Sequence, residues 1–160
     1  MTFDNSRTII SLRLKLLAVT ILLLAYLALA YVIKLIKFPV LGIGDTAWTI
    51  ILMCIWFILA FMPMILNYQF ISYSDDGDYL ILRYFTSGFI GGKKNSVEIN
   101  KTSFSGFKVE SRFFDLIQSI TLFQKIQNGV AKYPPVYISA LTREEKSKLI
   151  RSLSMYTPRA

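Results

Sequence analysis

Two long stretches without a charged side chain dominate the first half of this chain and limit what it can fold into. Leu16 to Ile33 carries none and is bracketed by Lys15 and Lys34; Thr46 to Ser74 again carries none. A helix needs roughly 20 mainly apolar residues to cross a hydrocarbon layer about 30 Å thick. Both stretches meet that length. The core helix of a soluble protein is usually shorter and keeps a polar stripe toward water, which neither stretch has. The expectation is a transmembrane helical hairpin over 16–66, with spans at about 16–36 and 47–66, because a helix satisfies its own backbone inside lipid.

Between the spans, Lys37-Phe38-Pro39-Val40-Leu41-Gly42-Ile43-Gly44-Asp45 is a short turn punctuated by Pro and Gly. It is too short for anything but an antiparallel pair. Arg7, Arg13 and Lys15 lie before the first span, against Lys34 and Lys37 in the turn. The positive-inside bias therefore predicts both termini on the cytoplasmic side of a cell inner membrane. These three basic residues, with Trp48 at the start of the second span and Tyr68 just past its end, are candidate anchors at the membrane interface. Residues 1–15 are expected to form a cytoplasmic basic segment, lying in the interface or extending the first span. Ala28-Leu29-Ala30 resembles a signal-peptide cleavage site, but the apolar run exceeds the usual signal length and retention is expected. Ala18 and Ala25 in the first span, and Ala47 and Cys54 in the second, recur seven apart and suggest a close-packed helix seam.

After Asn67 the pattern changes to short alternating runs, so 67–160 is expected to be a second, β-rich domain with one small core. Strands are predicted at Tyr68–Tyr73, Tyr79–Phe85, Ser96–Asn100 and Phe104–Ser111, with Phe107 and Val109 inward and a bulge at Gly106. The Asp75-Asp76-Gly77-Asp78 stretch reads as a turn, and 86–94 as a longer loop. Asn128-Gly129 is the favoured pair for a two-residue hairpin between Ser119–Gln127 and Val130–Ser139, and Pro134-Pro135 must interrupt the second of those strands. A closing helix is expected over 142–156. Thr142 and Glu145 have the spacing of a capping box, and Leu149, Ile150, Leu153 and Tyr156 form its apolar stripe.

Six or seven short strands followed by one amphipathic helix resemble the pleckstrin-homology (PH) superfold, as in bacterial membrane-anchored PH-like domain proteins. The likeness rests on layout, on Leu80-Ile81-Leu82-Arg83-Tyr84-Phe85, Val97-Glu98-Ile99-Asn100 and Phe104-Ser105-Gly106-Phe107-Lys108-Val109-Glu110, and on the closing helix. It implies an antiparallel β-sandwich or barrel with a C-terminal helix, and a binding or scaffolding module without enzymatic activity. Eukaryotic relatives hold phosphoinositides with basic residues between their first two strands. Here that loop is Asp75-Asp76-Gly77-Asp78, which repels a polyanion.

The residue inventory narrows the chemistry. Without any histidine, Ser-His-Asp and Cys-His catalysis are excluded, as are zinc and haem sites that need a His ligand. The single cysteine, Cys54, sits inside the second span. No catalytic set, cofactor site or metal site is nominated. From Asn67 onward 13 of the 18 basic residues face eight acidic ones, a balance suited to anionic headgroups. No nucleic-acid motif accompanies it, and none is expected as a partner. Lys93 and Lys94, after Gly91-Gly92, form a candidate anion or headgroup contact. The expected function is that of a membrane-tethered adaptor or scaffold that binds a protein partner at the cytoplasmic face, within a larger complex or a homo-oligomer. The alternative is a ligand-gated two-helix membrane effector whose β-domain senses an anionic cyclic nucleotide.

Overall fold

The computed structural model describes residues 1–86 and 93–158, and within them the chain forms an α+β protein of two compact units. One unit is Ile10–Pro63; the other joins Met1–Ile9 to Met64–Ala160.

The helical unit holds most of α1 (Ser6–Leu27), extended by a π-helical turn over Ala28–Val32, and of α2 (Asp45–Ile65). At 1.5 Å per residue these helices measure about 40 and about 31 Å. Both are long and apolar enough to cross a membrane, and only 6% of the most apolar stretch of each is buried within the protein. Between them, Val40 and Ile43 bond through both backbone groups, with Leu41 and Gly42 at positive φ in the turn. Trp48 donates its indole N–H to the Val40 carbonyl at 3.0 Å.

The helix seam differs from the small-residue expectation. Ala18, Ala25, Ala47 and Cys54 are all exposed. The contacts run instead through aromatic rings with polar tips: Trp56 Nε1 donates to Thr20 Oγ1 at 2.9 Å, and the Tyr26 and Tyr31 hydroxyls meet Thr49 Oγ1 at 3.2 and 2.7 Å. Indole and phenol groups need partners wherever water is excluded, and that need selects the facing residues more strongly than side-chain size does.

The β unit contains two antiparallel sheets. The first has the order β1 (Thr2–Asp4), β2 (Gln69–Ser74), β3 (Tyr79–Thr86), β4 (Asn95–Asn100). The second pairs β5 (Phe104–Arg112), β6 (Ile117–Ile126) and β7 (Gly129–Lys132), with β8 (Val136–Tyr137) also on β6. Alternation places Ile71 and Tyr73, then Leu80, Leu82 and Tyr84, then Val97 and Ile99 on one buried face. Phe104, Ile120, Leu122 and Val136 from the second sheet join the same cluster.

This core is covered by α3 (Arg143–Tyr156). The capping box forms: Thr142 Oγ1 accepts from Glu145 N at 3.3 Å, and Glu145 Oε2 accepts from Thr142 N at 2.7 Å. Leu149 and Leu153 are wholly buried, which stabilises by about 1.5–3 kcal/mol each. Ile150 turns outward, and Ser152 takes its expected place on the buried stripe. The spacing 149, 152, 153, 156 is the tighter i, i+3, i+4, i+7 repeat.

The strands follow the predicted order with local differences. Gly106 carries the expected bulge at φ 133, in register with Phe123 after a shift from Phe104. Phe107 packs on the core, but Val109 is exposed toward the far end of an edge strand. The β6–β7 hairpin turns at Gln127 and Asn128 rather than at Asn128-Gly129, because Ile126 pairs with Gly129. Neither turn residue takes positive φ; Gly129, at φ 139, absorbs the misfit between turn and strand twist. The Pro134-Pro135 step separates β7 from β8, as the missing N–H groups require.

β1 has no counterpart in the sequence reading, which gave residues 1–15 to a single basic segment. Thr2, Phe3 and Asp4 pair with Ser74, Tyr73 and Ser72. The sheet therefore combines strands from before α1 and after α2. At the second junction only Leu66, Asn67 and Tyr68 separate helix from strand, with Asn67 at φ 51 supplying the left-handed exit that asparagine tolerates.

Candidate functional site

The most concentrated polar arrangement in the β unit lies at the end of β2, under α3. Asp75, directly after β2, is buried, as is Ser152 of α3. The Ser152 hydroxyl donates to Asp75 Oδ2. With its only proton engaged there, Ser152 Oγ must accept from the Tyr73 hydroxyl at 2.8 Å, giving a polarised chain Tyr73 to Ser152 to Asp75. Burial pushes the Tyr73 phenol up to about 12, against the opposing pull of the Ser152 hydrogen bond.

The other carboxylate oxygen of Asp75 receives the amino group of Met1, which also donates to Asp76 Oδ1 at 2.9 Å. Burial alone would raise the Asp75 pKa. The hydrogen bonds from Met1 and Ser152, with the charges of the Met1 amine and Lys101, outweigh it and leave the carboxyl below its ordinary value. Asp76 is held down to about 2, chiefly by the Thr2 hydroxyl and then by the Met1 amine and the Ser74 hydroxyl. Lys101 closes the loop from the other side. Its ammonium donates to the Asp75 and Gly77 carbonyls, each at 2.7 Å, and sits 4.6 Å above the Tyr156 ring.

A serine hydroxyl on a carboxylate is the beginning of a nucleophilic pair. Here Ser152 is fully buried, and its oxygen is already engaged as acceptor of the Tyr73 hydroxyl, which leaves no room for a substrate. All buried side-chain polar atoms among the described residues have partners. Chemically, the arrangement serves to fasten: it ties β1, the β2–β3 turn and α3 together. Among the described residues no three His, Cys, Asp or Glu side chains converge on a point that could hold a metal.

The residues singled out from sequence are dispersed. Lys93 and Lys94 are exposed just before β4, while Gly91 and Gly92 lie outside the described residues. Arg7 is exposed in the first turn of α1, where its charge helps lower the Asp4 pKa after the larger effect of hydrogen bonds from Ser6. Arg13 and Lys15 are exposed further along α1; Trp48 and Tyr68 are half-buried. The four acidic-loop residues Asp75-Asp76-Gly77-Asp78 do form a turn, with Gly77 at φ 70. Sequence reasoning missed that Asp75 is buried, since its partners Met1 and Ser152 stand 74 and 77 positions away.

The exposed side of α3 carries a shallow depression of about 400 Å³ lined by Arg143, Glu144, Ser147, Lys148 and Arg151. Three of the five are basic, so the surface suits an acidic partner better than a basic one. No protein-family model, curated protein or solved structure matches the chain.

Proposed function

We propose that the protein is a membrane-anchored adaptor without enzymatic activity, whose PH-like β-domain presents a binding surface to a protein partner at the cytoplasmic face of the membrane. The observation that carries this reading is the pairing of β1 with β2. The strand before α1 and the strand after α2 are neighbours in one sheet, so a hairpin that spans the membrane begins and ends on a single folded domain. Such a domain is anchored at two points, with three residues of connection at the second. It has far less freedom than one on a flexible linker and meets partners held in the same membrane.

The order of two sheets and a closing helix supports the PH-like assignment. Arg7, Arg13 and Lys15 before the uncharged part of α1, against Lys34 and Lys37 in the turn, support a cytoplasmic location and suit anionic headgroups. The basic face of α3 is the surface we assign to the partner. The test is crosslinking in native membranes followed by purification in mild detergent, comparing the wild type with Lys148→Glu/Arg151→Glu. A partner captured by the wild type and lost from the variant supports the reading. Recovery of the chain alone from both counts against it.

A further inference from the structure

Arg112 and Ile117 are the last paired residues of the β5–β6 hairpin, and Phe113-Phe114-Asp115-Leu116 connects them. Phe113, Phe114 and Asp115 take φ values of 51, 52 and 66, three left-handed residues in succession, closed by a bond from Leu116 N to Phe113 O at 3.1 Å. Glycine or asparagine would adopt this backbone readily; phenylalanine is strained in it. What the backbone achieves is display. Phe113 is 73% exposed, Phe114 102% and Leu116 59%. Three large apolar side chains thus stand in water on a turn whose residues do not suit its conformation. Strain kept at such a point indicates a use for the side chains.

The position of the turn within the β unit indicates the use. Ser119 of β6 pairs with Tyr137 of β8, and Tyr137 N donates to Gln69 Oε1 at 3.0 Å. The Gln69 carbonyl in turn accepts from Asn5 Nδ2 at 2.9 Å. Asn5 is the residue before α1, and Gln69 begins β2 just after α2. Leu116 lies three residues from Ser119, about 10 Å along a strand. The apolar tip therefore shares the end of the β unit through which the chain leaves for α1 and returns from α2. The headgroup layer adds several ångströms on each side of the hydrocarbon. Two basic groups stand beside the tip: Arg112 precedes it, and Lys146 of α3 lies near enough to Asp115 to feel its charge.

We propose that the Phe113–Leu116 turn is a further membrane contact, inserting Phe113, Phe114 and Leu116 at the boundary between headgroups and acyl chains while Arg112 and Lys146 meet lipid phosphates. This rests on the reading that α1 and α2 span the bilayer. A lipid surface is favoured over a protein groove because the bilayer is then an unavoidable neighbour of this end of the domain. An exposed apolar tip with Arg112 and Lys146 beside it also has the amphipathic character of interfacial insertion.

The test uses the full chain with its only cysteine replaced, Cys54→Ser, in vesicles of phosphatidylcholine and phosphatidylglycerol. Single cysteines are introduced by Leu22→Cys in α1, Phe114→Cys at the tip and Val130→Cys in β7, beside the opposite end of β6, each labelled with a polarity-sensitive fluorophore. All three positions are exposed, so the substitutions leave the core untouched. The expected result is quenching at position 22 by lipids with a deep spin label, at 114 by lipids with a shallow one, and at 130 by aqueous iodide only. Iodide quenching at 114 equal to that at 130, with 22 still reached by the deep label, overturns the insertion and leaves the anchored reading intact. Failure of the deep label to reach 22 overturns both. Shielding of 114 from lipid and iodide alike identifies a protein contact and overturns the lipid assignment.

Discussion

Asn5 and Ile71 exchange two hydrogen bonds although Asn5 lies between a strand and a helix rather than within either. Its backbone N–H donates to the Ile71 carbonyl at 3.2 Å, and its side-chain Oδ1 accepts from Ile71 N at 2.8 Å. The amide nitrogen of the same side chain reaches the Gln69 carbonyl at 2.9 Å. Meanwhile the Asn5 carbonyl accepts from Ile9 N at 3.1 Å and so starts α1. One fully buried residue thus ends the β1–β2 ladder, opens the first helix and holds the start of α1 beside β2. Only an amide offers a donor and an acceptor at that separation.

Asn5→Ala should therefore loosen the β1–β2 junction selectively. It leaves the Ile71 N–H and the Gln69 carbonyl buried without partners, at about 1–3 kcal/mol each. The expected loss in thermal stability of the β unit in detergent is about 2–6 kcal/mol by that estimate. Amide exchange should accelerate at Ile71 first. A protection pattern unchanged at Ile71 would show that the side chain does not close the ladder.

The Tyr73–Ser152–Asp75 chain predicts a non-additive pair. Ser152→Ala removes the acceptor of the Tyr73 hydroxyl and one donor to Asp75, costing about 1–3 kcal/mol. Tyr73→Phe takes away the hydroxyl that needed the acceptor. The double variant should lose less than the sum of the singles, with a coupling of about 0.5–3 kcal/mol in urea or thermal unfolding. Strict additivity would mean that the two hydroxyls do not communicate.

Acid should release β1 before the rest of the sheet. The Asp76 carboxyl has its pKa lowered from 3.8 to about 2 in the folded chain. Its contribution is present above the unfolded value and drains away as pH falls through the folded one. Asp75 is shifted in the same direction. Wild-type stability should thus decline from about pH 4 downward, and Asp76→Asn should show a shallower decline over the same range. Identical acid limbs in unfolding curves of the two proteins would remove Asp76 from the clamp.

Much of the β unit was legible because alternation in Leu80-Ile81-Leu82-Arg83-Tyr84 and the Thr142–Glu145 cap are local signals, written within a few residues. The junction was not. Thr2 to Asn5 has no strand pattern, and its partners appear only after two helices have intervened. Asp75 reads as one of three turn aspartates, and nothing within ten residues reveals that Ser152 and Met1 will bury it. The Asn128-Gly129 signal located the hairpin yet shifted its turn by one residue, since a pair preference does not fix register. The left-handed Phe113-Phe114-Asp115 turn runs against local preference and was invisible for that reason.

The helical unit offers a stability prediction of its own. Thr20 Oγ1 accepts the Trp56 indole N–H at 2.9 Å while donating to the Leu16 carbonyl at 2.8 Å. Thr20→Val keeps the shape and removes both bonds. Interhelical bonds of this kind contribute about 0.6–2 kcal/mol in a bilayer. The variant should weaken the hairpin by that amount in detergent-titration unfolding, with a red shift of Trp56 emission, whereas Ala18→Ser, at an exposed position, should leave both unchanged.

Cys54 gives the most direct check on the solvent around α2. Its thiol is exposed at the protein surface, nine positions from the start of the helix at Asp45, so the protein itself does not shield it. If α2 lies in lipid, the bilayer alone separates the thiol from water. A membrane-permeant maleimide should then label Cys54 slowly in vesicles, and a charged methanethiosulfonate should not label it from either side. Solubilised and unfolded in dodecyl sulfate, the same chain should react with both. Rapid labelling by the charged reagent in intact, sealed vesicles would place α2 in water, and the anchored adaptor would have to be abandoned.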